Sequence, residues 1–74
     1  MARVRVRVYA KLREQLGFKE KTVEVDTLSE LIRDLGVSNI VIAVNSELVE
    51  TSKASRLRLV DGDIIDLMPP FSGG

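Results

Sequence analysis

An α+β domain, with a mixed sheet of about five strands and one main helix packed on one face, is the fold class that three observations predict. Arg3-Val4-Arg5-Val6-Arg7-Val8 alternates with period two, the pattern of a half-buried strand. Residues 27–36 hold a capped amphipathic helix, the one long helical pattern in the chain. Ile40-Val41-Ile42-Ala43-Val44 is a continuous apolar, β-branched run of strand length, which needs a cover that this helix can supply.

Each element follows in order. In the first strand, residues 3–8, the three Val point to one face and the three Arg to the other. Next, Lys11-Leu12-Arg13-Glu14-Gln15-Leu16 sets Leu12 and Leu16 one helical turn apart ahead of Gly17, which predicts a helix of one or two turns. Lys21-Thr22-Val23-Glu24-Val25 alternates again and returns antiparallel to the first strand, with Arg5 or Arg7 opposite Thr22 or Glu24. Thr27 precedes Glu30 by three residues, the reciprocal pattern by which side chains satisfy the free N–H groups of a first helical turn. Leu28, Leu31, Ile32 and Leu35 then share one helical face, and Gly36 ends the helix.

The run 40–44 reads as the central strand, covered by the helix on one side and partly on the other. Asn45-Ser46 has turn chemistry, Leu48-Val49 returns as a short strand, and the polar residues 50–56 read as a loop. Asp61-Gly62-Asp63 marks a tight turn into the last strand, Ile64-Ile65-Asp66-Leu67-Met68. Asp66 sets its outward face, so Ile65 and Leu67 point inward while Ile64 and Met68 point outward. Pro69-Pro70 cannot donate to a ladder. The body therefore comprises residues 1–68, and residues 69–74 leave it as an extended, flexible tail ending in Gly-Gly. This order of elements is the layout of a β-grasp (ubiquitin-like) domain.

Composition narrows the chemistry. Seventy-four residues make one domain, and the absence of Cys and His removes thiol nucleophiles, imidazole bases, catalytic triads and the usual zinc clusters. A chain so equipped is expected not to be an enzyme by itself. Eleven Lys and Arg balance eleven Asp and Glu, which argues against a nucleic-acid binder, since neutralising phosphates takes a cationic surplus. The balance hides an asymmetry: residues 1–22 hold seven basic and two acidic side chains, and residues 23–74 hold four and nine. These parts are expected to meet in the fold. Arg3, Arg5 and Arg7 form a ladder that could contact an acidic partner or nucleic acid; Glu24, and Asp66 if the last strand lies beside the first, would make it instead a partly neutralised solvated face. Asp61 and Asp63 are expected to shape their turn and not to hold a metal, as no third ligand lies near them in sequence. No apolar run of membrane-spanning length and no export signal is present, and the lack of Cys fits a cytoplasmic chain.

The ending, Met68-Pro69-Pro70-Phe71-Ser72-Gly73-Gly74, is the sharpest feature. Two terminal glycines taken alone are equally a loose end. Here they follow a stiff diproline and a well-marked strand, so the terminal carboxylate is held away from the body on a narrow lead that can thread a channel closed to side chains. The Gly74 carboxylate is the candidate reactive group, and Gly73 and Ser72 are the threading residues. Ile64, Met68, Pro70 and Phe71 form a candidate apolar partner surface at the tail root.

The chain resembles the ubiquitin-like sulfur carriers of the MoaD/ThiS superfamily, and among them the MoaD family of molybdopterin synthase small subunits. The matching residues are Ala10, Leu12-Arg13-Glu14 and Gly17, then Val44-Asn45, then Asp61-Gly62-Asp63 leading to Pro69-Pro70 and Ser72-Gly73-Gly74; Phe71 departs from the Val or Thr often found there. The resemblance implies a carrier that binds no cofactor. An adenylating enzyme of the ubiquitin-activating type (MoeB-like) would use ATP to activate Gly74, which would then become a thiocarboxylate. The large subunit of molybdopterin synthase (MoaE-like) would take in the tail for sulfur transfer to the molybdenum cofactor precursor, with the catalytic side chains on these partners. Archaeal-type modifiers share the activated Gly and conjugate it to lysines of target proteins, which stands as the alternative. A β-grasp interaction module with an unreactive tail is the third reading.

Overall fold

The computed structural model describes residues 1–54 and 56–70. Eight elements follow in order: β1 (Ala2–Val8), α1 (Leu12–Leu16), β2 (Glu20–Val25), α2 (Leu28–Leu35), β3 (Val41–Val44), β4 (Glu47–Val49), α3 (Thr51–Ala54) and β5 (Ile64–Met68). The strands form one mixed sheet in the order β2-β1-β5-β3-β4, the expected β-grasp layout.

The alternation in β1 does what its period requires. Ala2, Val4, Val6 and Val8 are buried, and the arginines between them line the opposite face. β2 returns antiparallel, with Arg3 opposite Glu24, Arg5 opposite Thr22 and Arg7 opposite Glu20. α2 starts where the Thr27 hydroxyl accepts the Glu30 N–H at 3.2 Å, and it stops at Gly36, whose φ of 68° suits a residue without Cβ. Leu28 and Leu31 are buried, while Ile32 and Leu35 are half-buried at the margin of the same core. Seven side chains are almost fully enclosed: Val4, Val6, Val8, Leu28, Leu31, Ile65 and Leu67. Each contributes about 1.5–3 kcal/mol relative to exposure, so a chain without disulfides or zinc holds together on packing.

Two expectations are corrected. β3 is an interior strand but not the middle one. β5 takes the centre, parallel to β1 on one side (Val6 beside Ile65, Val8 beside Leu67) and antiparallel to β3 on the other (Ile42 beside Leu67, Val44 beside Ile65). The reason is topological: β5 is the one strand that the β1–β2 and β3–β4 hairpins can both flank. Residues 50–56 also contain a helical turn, α3, instead of loop alone. Ala54 is buried in the core and anchors that turn, and the N–H groups of Arg56 and Leu57 close on the carbonyls of Lys53 and Ala54.

The Asp-Gly-Asp turn is built as expected. Asp61 Oδ1 accepts the Arg3 N–H at 2.8 Å, Asp63 Oδ2 accepts the Val60 N–H at 2.8 Å, and Gly62 takes a φ of 91° that side chains resist. Asn45 ties the β3–β4 turn to it. Its Nδ2 donates to Asp63 Oδ1 at 2.9 Å, and its Oδ1 accepts the Ile64 N–H at 2.9 Å. The matching residues Asn45 and Asp63 are thus one hydrogen-bonded unit. No group of His, Cys, Asp or Glu among the described residues could hold a metal ion, and no helix among them is long and apolar enough to cross a membrane.

Candidate functional site

The site is the end of β5 and the face of the sheet beside it. Phe71, Ser72, Gly73 and Gly74, the last part of the expected tail, lie outside the described residues. What the structure describes is the ground from which they start. Tyr9 donates its backbone N–H to the Leu67 carbonyl at 3.1 Å, which fastens the end of β5 to the chain leaving β1. Pro69 and Pro70 are half-buried.

Opposite the α2 side, the sheet has an open face divided by charge. Over β1 and β2 it is a lattice of ion pairs, Arg3 to Glu24 at 3.7 Å and Arg5 to Glu20 at 3.2 Å. Both are solvent-exposed and contribute little individually. The third pair differs. Arg7 grips Asp66 through two bonds, Nε to Oδ1 at 2.7 Å and an Nη to Oδ2 at 3.1 Å, and the Tyr9 hydroxyl donates to Asp66 Oδ1 at 3.2 Å. The arginine ladder is therefore the partly neutralised face anticipated above, because β5 does lie beside β1.

Asp66 marks the outward face of β5, yet the side chain is itself buried beneath Arg7 and Tyr9. The hydrogen bond from Arg7 holds its carboxyl below the usual carboxylate range; partial burial opposes this, and the Tyr9 hydroxyl reinforces it. The same bond pushes the Arg7 guanidinium further into its charged form. Arg13 completes the surroundings, donating from Nε to the Val8 carbonyl at 2.8 Å and lying 5.9 Å over the Tyr9 ring.

The other half of the open face is apolar. Ile64 and Met68 both point outward as expected, but they are half-buried and not fully exposed, because β1 and β3 flank them, with Arg5 beside Ile64 and Val41 beside Met68. Register extends this surface to residues the sequence reading did not include. Ala43 pairs with Asp66 and Leu48 pairs with Ala43, so Val41, Ala43 and Leu48 share the face of Met68. Leu48 is 73% exposed, one of the most exposed large apolar side chains among the described residues. The alternation Glu47-Leu48-Val49 was the available signal, but only the tight Asn45-Ser46 turn, with φ of 51° and 72°, fixes which face Leu48 takes.

Beyond its small body, fastened final strand and apolar half-sheet beside the tail root, the chain matches a known family along nearly its whole length, the ThiS family model covering residues 6–74. The chain belongs to the ThiS family. Among relatives of this ThiS-family chain, the molybdopterin synthase sulfur carrier subunit of Chlamydomonas reinhardtii is 32% identical over 96% of the chain and 98% of the relative. Solved structures agree in fold. The small archaeal modifier protein 1 of Methanosarcina acetivorans superposes with a TM-score of 0.82 at 24% identity, covering 100% of this chain and 98% of that one. A chain from the complex of subunits 1 and 2 of the molybdopterin-converting factor of Helicobacter pylori is similar too, with a TM-score of 0.66 at 28% identity over 97% of this chain and 99% of that one.

Proposed function

We propose that this chain is the sulfur carrier subunit of a molybdopterin synthase and that its chemistry occurs at the Gly74 carboxylate. The observation that carries this reading is the full-length likeness to a molybdopterin synthase sulfur carrier subunit, in a chain whose family match runs through the terminal Gly73-Gly74.

The chemistry fits a chain without catalytic side chains. A carboxylate is a poor electrophile. Attack of its oxygen on the α-phosphorus of ATP, in an activating enzyme, releases pyrophosphate and leaves an acyl-adenylate. Hydrosulfide, the simplest donor at the oxidation level required, then adds through sulfur to the acyl carbon, AMP departs with the carboxylate oxygen, and the proton on sulfur is lost to solvent. The resulting thiocarboxylate is ionised at neutral pH and is a soft nucleophile. The large synthase subunit receives it, sulfur passes to the pterin precursor, and water returns the oxygen to Gly74. The acids and bases for these steps belong to the partners, and the work proceeds in the cytoplasm.

This chain contributes position. The Asp66 lock and the Tyr9 bond to Leu67 fix the strand from which the tail departs. The half-sheet of Ile64, Met68, Val41 and Leu48, with Pro70 and Phe71 at the tail root, provides the contact area. Burying it against a partner returns about 25 cal/mol per Å² of apolar surface, which offsets the ~1–2 kcal/mol per residue needed to order a threaded tail.

The likeness in fold to an archaeal modifier supports a second reading, conjugation of Gly74 to lysines of other proteins. Co-purification from the native cell distinguishes the two. A stable complex with a large synthase subunit supports the carrier; a ladder of isopeptide conjugates without such a complex favours the modifier.

A further inference from the structure

Asn45 stands at the corner where β3 gives way to β4, with φ of 51°, and Ser46 follows with φ of 72°. Val44 still pairs with Ile65, and the Asn45 N–H donates to the Ile64 carbonyl at 2.8 Å, so bonding between β3 and β5 runs one residue into the turn. A hydrogen-bonded antiparallel pair exchanges two such bonds. The second, from the Ile64 N–H, goes at 2.9 Å to Oδ1 of the Asn45 side chain, because the left-handed backbone at Asn45 has already left the strand.

The nitrogen of the same amide donates to Asp63 Oδ1 at 2.9 Å. Asp63 is a fixed post. It is buried, its Oδ2 accepts the Val60 N–H, its own N–H donates to the Val60 carbonyl, and its carbonyl accepts the Arg5 N–H from β1. Both ends of the Asn45 amide are therefore fastened at the start of β5. Beyond the turn, β4 is an edge strand of three residues that pairs with β3. Val49 packs against the core, but Leu48 is exposed on the open face, so packing does not set its pose.

We propose that Asn45 is a positioning residue, whose amide, clasped between Asp63 and Ile64, sets the pose of the β3–β4 hairpin and with it the angle at which Leu48 meets a partner. The inference rests on the proposed reading of this half-sheet as a docking surface. The place calls for an amide, since one end must donate to a carboxylate and the other must accept an N–H. Asn also tolerates the left-handed backbone that the turn imposes.

Three variants test it. Asn45→Gly suits the left-handed backbone and removes both side-chain bonds. Asn45→Asp keeps the acceptor for Ile64 and turns a carboxyl toward Asp63. Asn45→Asp combined with Asp63→Asn exchanges donor and acceptor, so that the bonds to Ile64, between the two side chains and to Val60 form again. Residual dipolar couplings of the Glu47, Leu48 and Val49 amides, referred to those of β1 and β5, report the pose in the free chain, and a thermal melt confirms that each variant is folded. The β4 couplings are expected to move in both single variants and to return in the exchanged pair. Affinity for a large synthase subunit is expected to fall about fivefold in each single variant, to return in the exchanged pair, and to fall no further when Asn45→Gly is added to Leu48→Asp. Unmoved β4 couplings in Asn45→Gly would overturn the proposal, whatever the change in Tm. Moved couplings with parental affinity would overturn its link to docking. A parent chain that binds no large subunit would remove the proposed function instead, and the couplings would still decide whether the clasp sets the hairpin.

Discussion

Asp66 is 8% exposed and stays ionised, because two donors meet its carboxylate there: the guanidinium of Arg7 in β1 and the hydroxyl of Tyr9 just after that strand. Its folded-state pKa is depressed, principally by the bond from Arg7. A depressed carboxylate adds stability that is present above the unfolded-state pKa of about 3.9 and is lost as pH falls through the lower folded value. Asp66→Asn is therefore expected to cost on the order of 1–2 kcal/mol at pH 7, a figure that allows for the part-exposed Arg7. Thermal melts of both proteins from pH 7 to pH 2 check this. The gap in Tm should hold through the neutral range and narrow below about pH 4. A gap that stays constant to pH 2 would mean that the carboxylate charge is not what fastens the strand.

At the scale of elements, the consequential feature is the order of strands. With β5 in the middle, its outward residues are flanked on both sides, and β4 adds Leu48 at the far edge. Leu48→Asp should leave Tm within about 2 °C of the parent, because a side chain this exposed supports no packing, yet it should weaken binding to a large synthase subunit by about tenfold. Calorimetric titration alongside a thermal melt separates the two effects. A loss of stability equal to the loss of binding would remove the interface role of this half-sheet.

Legibility in the sequence followed the range of the interaction. β1, β2 and α2 were legible because period and capping are local: Val4, Val6 and Val8 alternate, and Thr27 with Glu30 marks a start. The Asp61-Gly62-Asp63 turn was legible because few residues tolerate its geometry. The place of β5 at the centre was not, since strand order depends on contacts between residues about sixty positions apart, such as Arg7 and Asp66. Helix α3 escaped notice because a four-residue turn with one buried side chain, Ala54, has no periodicity to read. Leu48 was missed as a surface residue because its face is set by the register across the β3–β4 turn. Of the candidate site, Ile64 now has a position at the start of β5, Met68 at its end and Pro70 just beyond it, while Gly74 was inferred from its setting in the chain and from likeness to a family.

For the whole molecule, the uneven charge of the sequence becomes a division of labour. Basic β1 meets acidic residues of β2 and of β5, so much of its charge is answered within the domain. The apolar half-sheet is left beside the end of β5, where the proposed reading places the surface for other proteins. In the proposed reading, a body without Cys or His serves sulfur chemistry through the Gly74 carboxylate. The intact mass of the chain after incubation with its activating enzyme, ATP and a sulfur donor tests this most directly. The full-length protein is expected to gain the mass difference between one sulfur and one oxygen, located by fragmentation at Gly74, while a chain lacking Gly73 and Gly74 folds with an unchanged Tm and gains nothing. An unmodified Gly74 under conditions that convert a known carrier, or sulfur fixed to the truncated chain, would contradict it.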